Sequence, residues 1–195
     1  MIKSYLGIWR HILLGWAYAL ALLLGAGPTA SAASSVQLSH DESGGFFARN
    51  LCHYVAPVTE KLRDLPAQAF HCDRAPQGYQ AASLWLEIKP DRADFESLAP
   101  EIFVRQARFD ALYVGYFYRD GRQQWQRVSN GDYGPHWRIG AQIGFTPDDR
   151  HVPVDRILLR FDHLADHHQI HIRLMGREVA LQQNAKVAAI ITAAM

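Results

Sequence analysis

Cysteine is scarce in this sequence: Cys52 and Cys72 are the whole supply. Neither belongs to a C-x-x-C pair, which excludes the common zinc-ribbon and thioredoxin-type motifs. No serine stands in a G-x-S-x-G context, so the nucleophile elbow of the α/β-hydrolases is missing. Net charge is missing too. Lys and Arg number 20 against 19 Asp and Glu, without a polybasic run, and this excludes the clustered basic surface of a nucleic-acid binder. There is no internal repeat and no low-complexity tract. No carboxylates pair at a spacing that implies acid–base work.

What is present begins with an export signal over residues 1–33. Lys3, Arg10 and His11 form a basic start, Ile12 to Ala26 is apolar, and Pro28 ends helix formation. Ala30-Ser31-Ala32 then fits the small-x-small rule of a signal-peptidase site. An uncleaved anchor is the competing reading, since about 18 apolar residues can span a bilayer. The small-residue segment favours cleavage, because a peptidase needs it and an anchor does not. The mature part is one domain of about 160 residues on the usual size prior, in an oxidising compartment. There Cys52 and Cys72 are expected to pair, closing a loop that stabilises by about 3 kcal/mol on the loop-entropy model.

Residues 34–45 read as a flexible leader, polar and glycine-bearing. Residues 46–72 are mixed, with a helical turn expected over 58–65 ahead of Pro66 and only weak strand signals. From Leu84 the hydrophobic period becomes two. Strands are expected at 84–88, 102–105, 111–118, 123–128, 137–145, 157–162 and 170–175. The run ALYVGYFY at 111–118 is apolar on both faces, as in a central strand, and it meets Asp120-Gly121, a hairpin dipeptide. About seven to eight strands with turn signals between them predict an all-β fold over 46–180, an antiparallel sandwich or jelly roll. After it, 181–195 reads as a short apolar helix. Two readings of VAAIITAAM stand: an end helix packed on the sandwich, or the first half of a membrane helix that would give membrane association.

Three constellations are candidates for chemistry. His163, His167 and His168, with Asp166 and His171 nearby, are dense enough in imidazole to bind a divalent metal. Their placement in a turn between strands argues for ordinary solvation instead. Tyr133 and Trp137 flank the Gly131–Pro135 turn and are the best candidates for exposed aromatic contacts to a small-molecule or carbohydrate ligand. Asp148-Asp149 reads as a solvated turn rather than a calcium site. No cofactor is implied.

The order of segments also carries a resemblance. It runs from the signal through FHCDRAPQGYQAASLWLEI, the LYVGYFYRDGRQQWQ hairpin and GPHWRIGAQIGFTP to VDRILLRFDHLADHHQIHIRLM and QQNAKVAAIITAAM. Together, over roughly residues 52–195, these resemble the N-terminal periplasmic sensor region of membrane-bound diguanylate cyclases. More distantly they are similar to the jelly-roll extracellular sensor domains of bacterial receptors with seven membrane helices. The resemblance implies a periplasmic, non-enzymatic ligand-binding module followed by membrane helices and a GGDEF domain. No GGDEF motif is in this sequence, so cyclase activity does not carry over, and no ligand-contacting residue is transferred. The alternatives are a freestanding periplasmic carbohydrate-binding or interaction domain and, from another class, a small exported metal-dependent hydrolase using the histidines.

The pairing of Cys52 with Cys72 predicts a mass gain of about 2 Da when purified protein is reduced, one hydrogen per sulfur. An unchanged mass would mean two unpaired thiols.

Overall fold

Period-two alternation puts Leu84, Leu86 and Ile88 on one side of a strand and Trp85 and Glu87 on the other. In the computed structural model all five are buried, because each side meets a different layer. The structure describes residues 37–40, 45–49, 51–61, 70–90, 99–105 and 107–193. The chain divides into two units, 1–32 and 33–195, and every described residue belongs to the second. The expected export signal lies outside the described residues, as does the second half of the helical turn expected at 58–65. Residues 57–60 form a turn in which the Glu60 N–H donates to the Pro57 carbonyl at 2.9 Å.

Among the described residues eleven strands form: β1 (Gln37–His40), β2 (Phe46–Arg49), β3 (Cys52–Ala56), β4 (Ser83–Ile88), β5 (Glu101–Arg105), β6 (Ala111–Tyr118), β7 (Gln123–Ser129), β8 (Trp137–Arg138), β9 (Gln142–Phe145), β10 (Val154–Asp162) and β11 (His171–Met175). The helix α1 (Arg177–Ala193) follows them. Every strand pairing is antiparallel. The strands make a six-stranded sheet, β1-β2-β11-β5-β9-β8, and a five-stranded sheet, β3-β4-β10-β6-β7, in a sandwich-like arrangement. Between them lies the main core. Leu84, Leu86, Leu112, Val114, Ile157, Leu159 and Phe161 come from the five-stranded sheet, and Ile102, Val104, Ile143, Phe145, Ile172 and Leu174 from the other. Burial of each such side chain stabilises by about 1.5–3 kcal/mol.

The expected strand at 137–145 is corrected. It folds back on itself as a tight hairpin, Trp137 opposite Ile143 and Arg138 opposite Gln142. Gly140 and Ala141 take φ of 86° and 57° at its tip, a left-handed geometry open to glycine and costly for alanine. The apolar alternation runs on through the turn, but Trp137 and Ile139 are exposed rather than core-facing. Part of the stretch read as leader, residues 37–40, forms β1. β2 and β3 arise where the sequence signal is weak, because β11 and β4 supply their partners.

The five-stranded sheet is covered on its outer face as well. Ala56, Trp85 and Leu158 are buried there with Tyr54, Phe70, Phe117 and Trp125 around them. Trp125 lies across Gly115, its cross-strand partner, where a Cβ would meet the indole at 2.7 Å. Arg160 pins this layer. Its guanidinium is held between Trp85 and Tyr113, 5.3 and 5.1 Å from their ring centres. It donates to Asp162 at 2.7 Å and to the carbonyls of Glu60 and Val58. Ser83 donates to the same Asp162 oxygen at 2.6 Å.

The helix at the chain end touches the sandwich only near its start, before VAAIITAAM, whose described residues from 188 to 193 are exposed. Ala180 of α1 is buried with Phe103 and Met175, while Leu181, Ile190 and Ile191 are exposed. No described helix is long and apolar enough to cross a membrane.

Arg160→Met is expected to lower unfolding stability in urea by about 3–5 kcal/mol, the cost of leaving one buried charge without its partner. A loss below about 1 kcal/mol would show that Arg160 does not pin the layer.

Candidate functional site: a cleft at the sandwich edge

Cys52 opens β3, and its disulfide to Cys72 spans 20 residues. Beside the bridge, His53 and His71 exchange backbone hydrogen bonds of 2.8 Å in both directions. The bridge and this short ladder fix the segment around 70–76 against the edge of the five-stranded sheet. The β10–β11 connection approaches the same place. Leu164 is fully buried in the core, Ile170 packs on the core, and the Ala165 N–H donates to the Arg108 carbonyl at 2.9 Å. Between these anchors Asp166 caps a single 3-10 turn, His167–Gln169, its carboxylate accepting from the His168 N–H at 2.9 Å.

These segments border a cleft of about 760 Å³ between the two sheets. Its floor is apolar: Leu84, Leu86 and Ile172 from the core, with Ala48, Leu51 and Ile170. Its rim is polar, with His53, Asp73, Arg74, His167 and His168 beside Cys72 and Pro76. The cleft combines an apolar body with a few polar groups on one side, the usual composition of a small-molecule site.

At His53 and His167 the surroundings favour the neutral imidazole. Burial lowers the His53 pKa below the ordinary 6.5, and His71, Arg74 and His167 push the same way while Asp73 opposes them. Burial likewise lowers that of His167, helped by His168 and opposed by Asp166. Tyr79 is buried behind His167, ring edge to ring, with centroids 5.2 Å apart. Its hydroxyl accepts from the His167 N–H at 3.1 Å and lies 3.0 Å from Nδ1.

The sequence-expected residues separate into three places. His167 and His168 line the cleft, and with Asp166 they offer ligand atoms within 4.8 Å of one another. His163 does not join that group. At a φ of 50° it turns to the exposed Asp110, its Nδ1 2.7 Å from the carboxylate. His171 is exposed on β11. Tyr133 and Trp137 stack with ring centres 5.6 Å apart and planes 17° apart. Phe109 backs Tyr133, and 52% of Trp137 is exposed. This pair stands by β8, the edge strand of the six-stranded sheet, whereas the cleft draws on β2 and β11. Asp149 pairs with Arg122 at 2.7 Å and accepts from the His151 N–H at 3.0 Å.

Sequence reasoning missed His53, Arg74 and Tyr79. One signal was available: His53 follows Cys52 and His71 precedes Cys72, so pairing the cysteines brings the two histidines together. Compared with family models, curated proteins and solved structures, the chain matches none.

An imidazole whose pKa is lowered by folding takes up its proton first in the unfolded chain. Stability contributed by a neutral His53 is therefore present above pH 6.5 and falls as pH drops below that value toward the folded pKa. The urea midpoint is expected to fall between pH 7 and pH 5.5, and to fall less in His53→Gln. An equal fall in both proteins would remove His53 from this role.

Proposed function

We propose that the chain is a non-enzymatic ligand-binding module acting in an oxidising compartment outside the cytoplasm. It belongs by this reading to the sensory type that precedes the membrane helices of diguanylate cyclases. The observation that carries ligand binding is the cleft itself. Its volume of about 760 Å³ falls within the range of roughly 300–1,000 Å³ typical of small-molecule sites. The apolar floor suits a hydrocarbon or ring body, and Arg74 with the rim imidazoles suits a carboxylate or other acceptor head. The oxidising location is supported by the disulfide. The jelly-roll reading is supported by strand order: β10 returns between β4 and β6, and β11 between β2 and β5, as in paired Greek keys. The sensory assignment rests on the sequence motifs that resemble cyclase sensor regions.

A freestanding carbohydrate-binding domain is the second reading, favoured by the exposed face of the Tyr133–Trp137 stack. A sugar ring stacks on such a platform through its C–H face, without the cleft.

Dansyl-undecanoic acid, an apolar chain with a carboxylate, separates the two. It is expected to bind the native protein saturably, one per chain. Ala48→Phe, which projects a ring into the cleft from partly exposed β2, is expected to abolish binding, and Trp137→Ala to leave it intact. Failure of the probe to saturate folded protein, or binding unchanged by Ala48→Phe, would overturn the cleft reading. Retention of a tetrasaccharide that disappears in Trp137→Ala would favour the platform.

A further inference from the structure

We propose that Asp166, His167 and His168 bind one divalent transition-metal ion of the zinc–nickel–copper type on the cleft rim. The inference does not depend on what fills the cleft. The ligand types are those such ions take, two imidazoles and a carboxylate. Their ligand atoms already lie within 4.8 Å of one another. Ligands 2.0–2.1 Å from a tetrahedral ion stand about 3.4 Å apart, so each pair has at most about 1.4 Å to close.

Two features make this more than three polar neighbours in a turn. The backbone under them is fixed, with Leu164 and Ile170 packed in the core on either side and Asp166 capping the turn between them. An outer shell is also in place. Metal-bound histidine almost always gives its second ring N–H to an acceptor, and the buried Tyr79 hydroxyl lies 3.0 Å from His167 Nδ1. In the tautomer that donates Nδ1–H to Tyr79, Nε2 keeps its lone pair for the ion. The two rings lie close, with centroids 3.8 Å apart. His53, buried on β3, lines the same cleft. His163 is outside the set because Asp110 holds it.

The test is calorimetric titration of tag-free, chelator-treated protein with zinc chloride, its disulfide intact. One ion per chain is expected, together with a rise in melting temperature, because the ion binds only the folded turn. His168 is exposed, so His168→Ala leaves the fold intact; it is expected to weaken binding at least about tenfold, while His163→Ala leaves it unchanged. Tyr79→Phe, which removes only the hydroxyl, is expected to cost about 10–100-fold. A folded protein without a one-ion step, or one whose affinity survives His168→Ala, overturns the proposal. Loss of binding in His163→Ala does so as well.

Discussion

The tie between β3 and the segment around Cys72 is the constraint on which the candidate site depends. It has two parts, the Cys52–Cys72 bridge and the reciprocal His53–His71 backbone pair. A segment with Asp73, Arg74, Gln77 and Gly78 exposed has little apolar area to hold it down. Tethered at Cys72, it becomes one wall of a cleft whose floor already belongs to the core. The bridge thus acts on the site as well as on the unfolded chain, and that is a reason for such a small domain to keep it.

The five-stranded sheet has to serve two layers at once. Its inner face builds the main core, and its outer face carries Trp85, Leu158 and Arg160 beneath the chain at 57–60 and Phe70. Residues 57–60 follow β3 and lie against Arg160, and His71 pairs again with β3. Arg160 therefore holds the residues that follow β3, and the disulfide those around Cys72. Buried charge is tolerated at Arg160 because Asp162, two carbonyls and two aromatic faces surround it. On the rim the balance goes the other way: burial lowers the His53 pKa, and Asp73 only partly opposes it.

The strands β4 to β7, β10 and β11 were legible because alternate residues on each face the main core, which imposes period two on the sequence. β2 and β3 were not, since four- and five-residue strands take their conformation from the neighbour they pair with. The hairpin at 137–143 misled for a different reason: apolar residues alternate across it while two of them face solvent. In the candidate site, the density of histidine between β10 and β11 was visible in the sequence. The division of labour within it was not. Asp110 takes His163 from 53 residues away and Tyr79 supports His167 from 88 away, and neither contact leaves a local pattern. The disulfide could be read from cysteine count and compartment, yet its consequence, a cleft wall, follows only from the sheet edge it is fastened to.

The claim that the bridge holds the cleft wall independently of the sandwich is tested most directly by amide hydrogen exchange on oxidised and reduced protein. On reduction, the amides of His53 and His71 are predicted to lose protection. Those of Val114 on β6 and Leu159 on β10, paired deep within the five-stranded sheet, are predicted to keep theirs. Unchanged protection at His53 and His71, or a loss spread evenly through the sandwich, would contradict it.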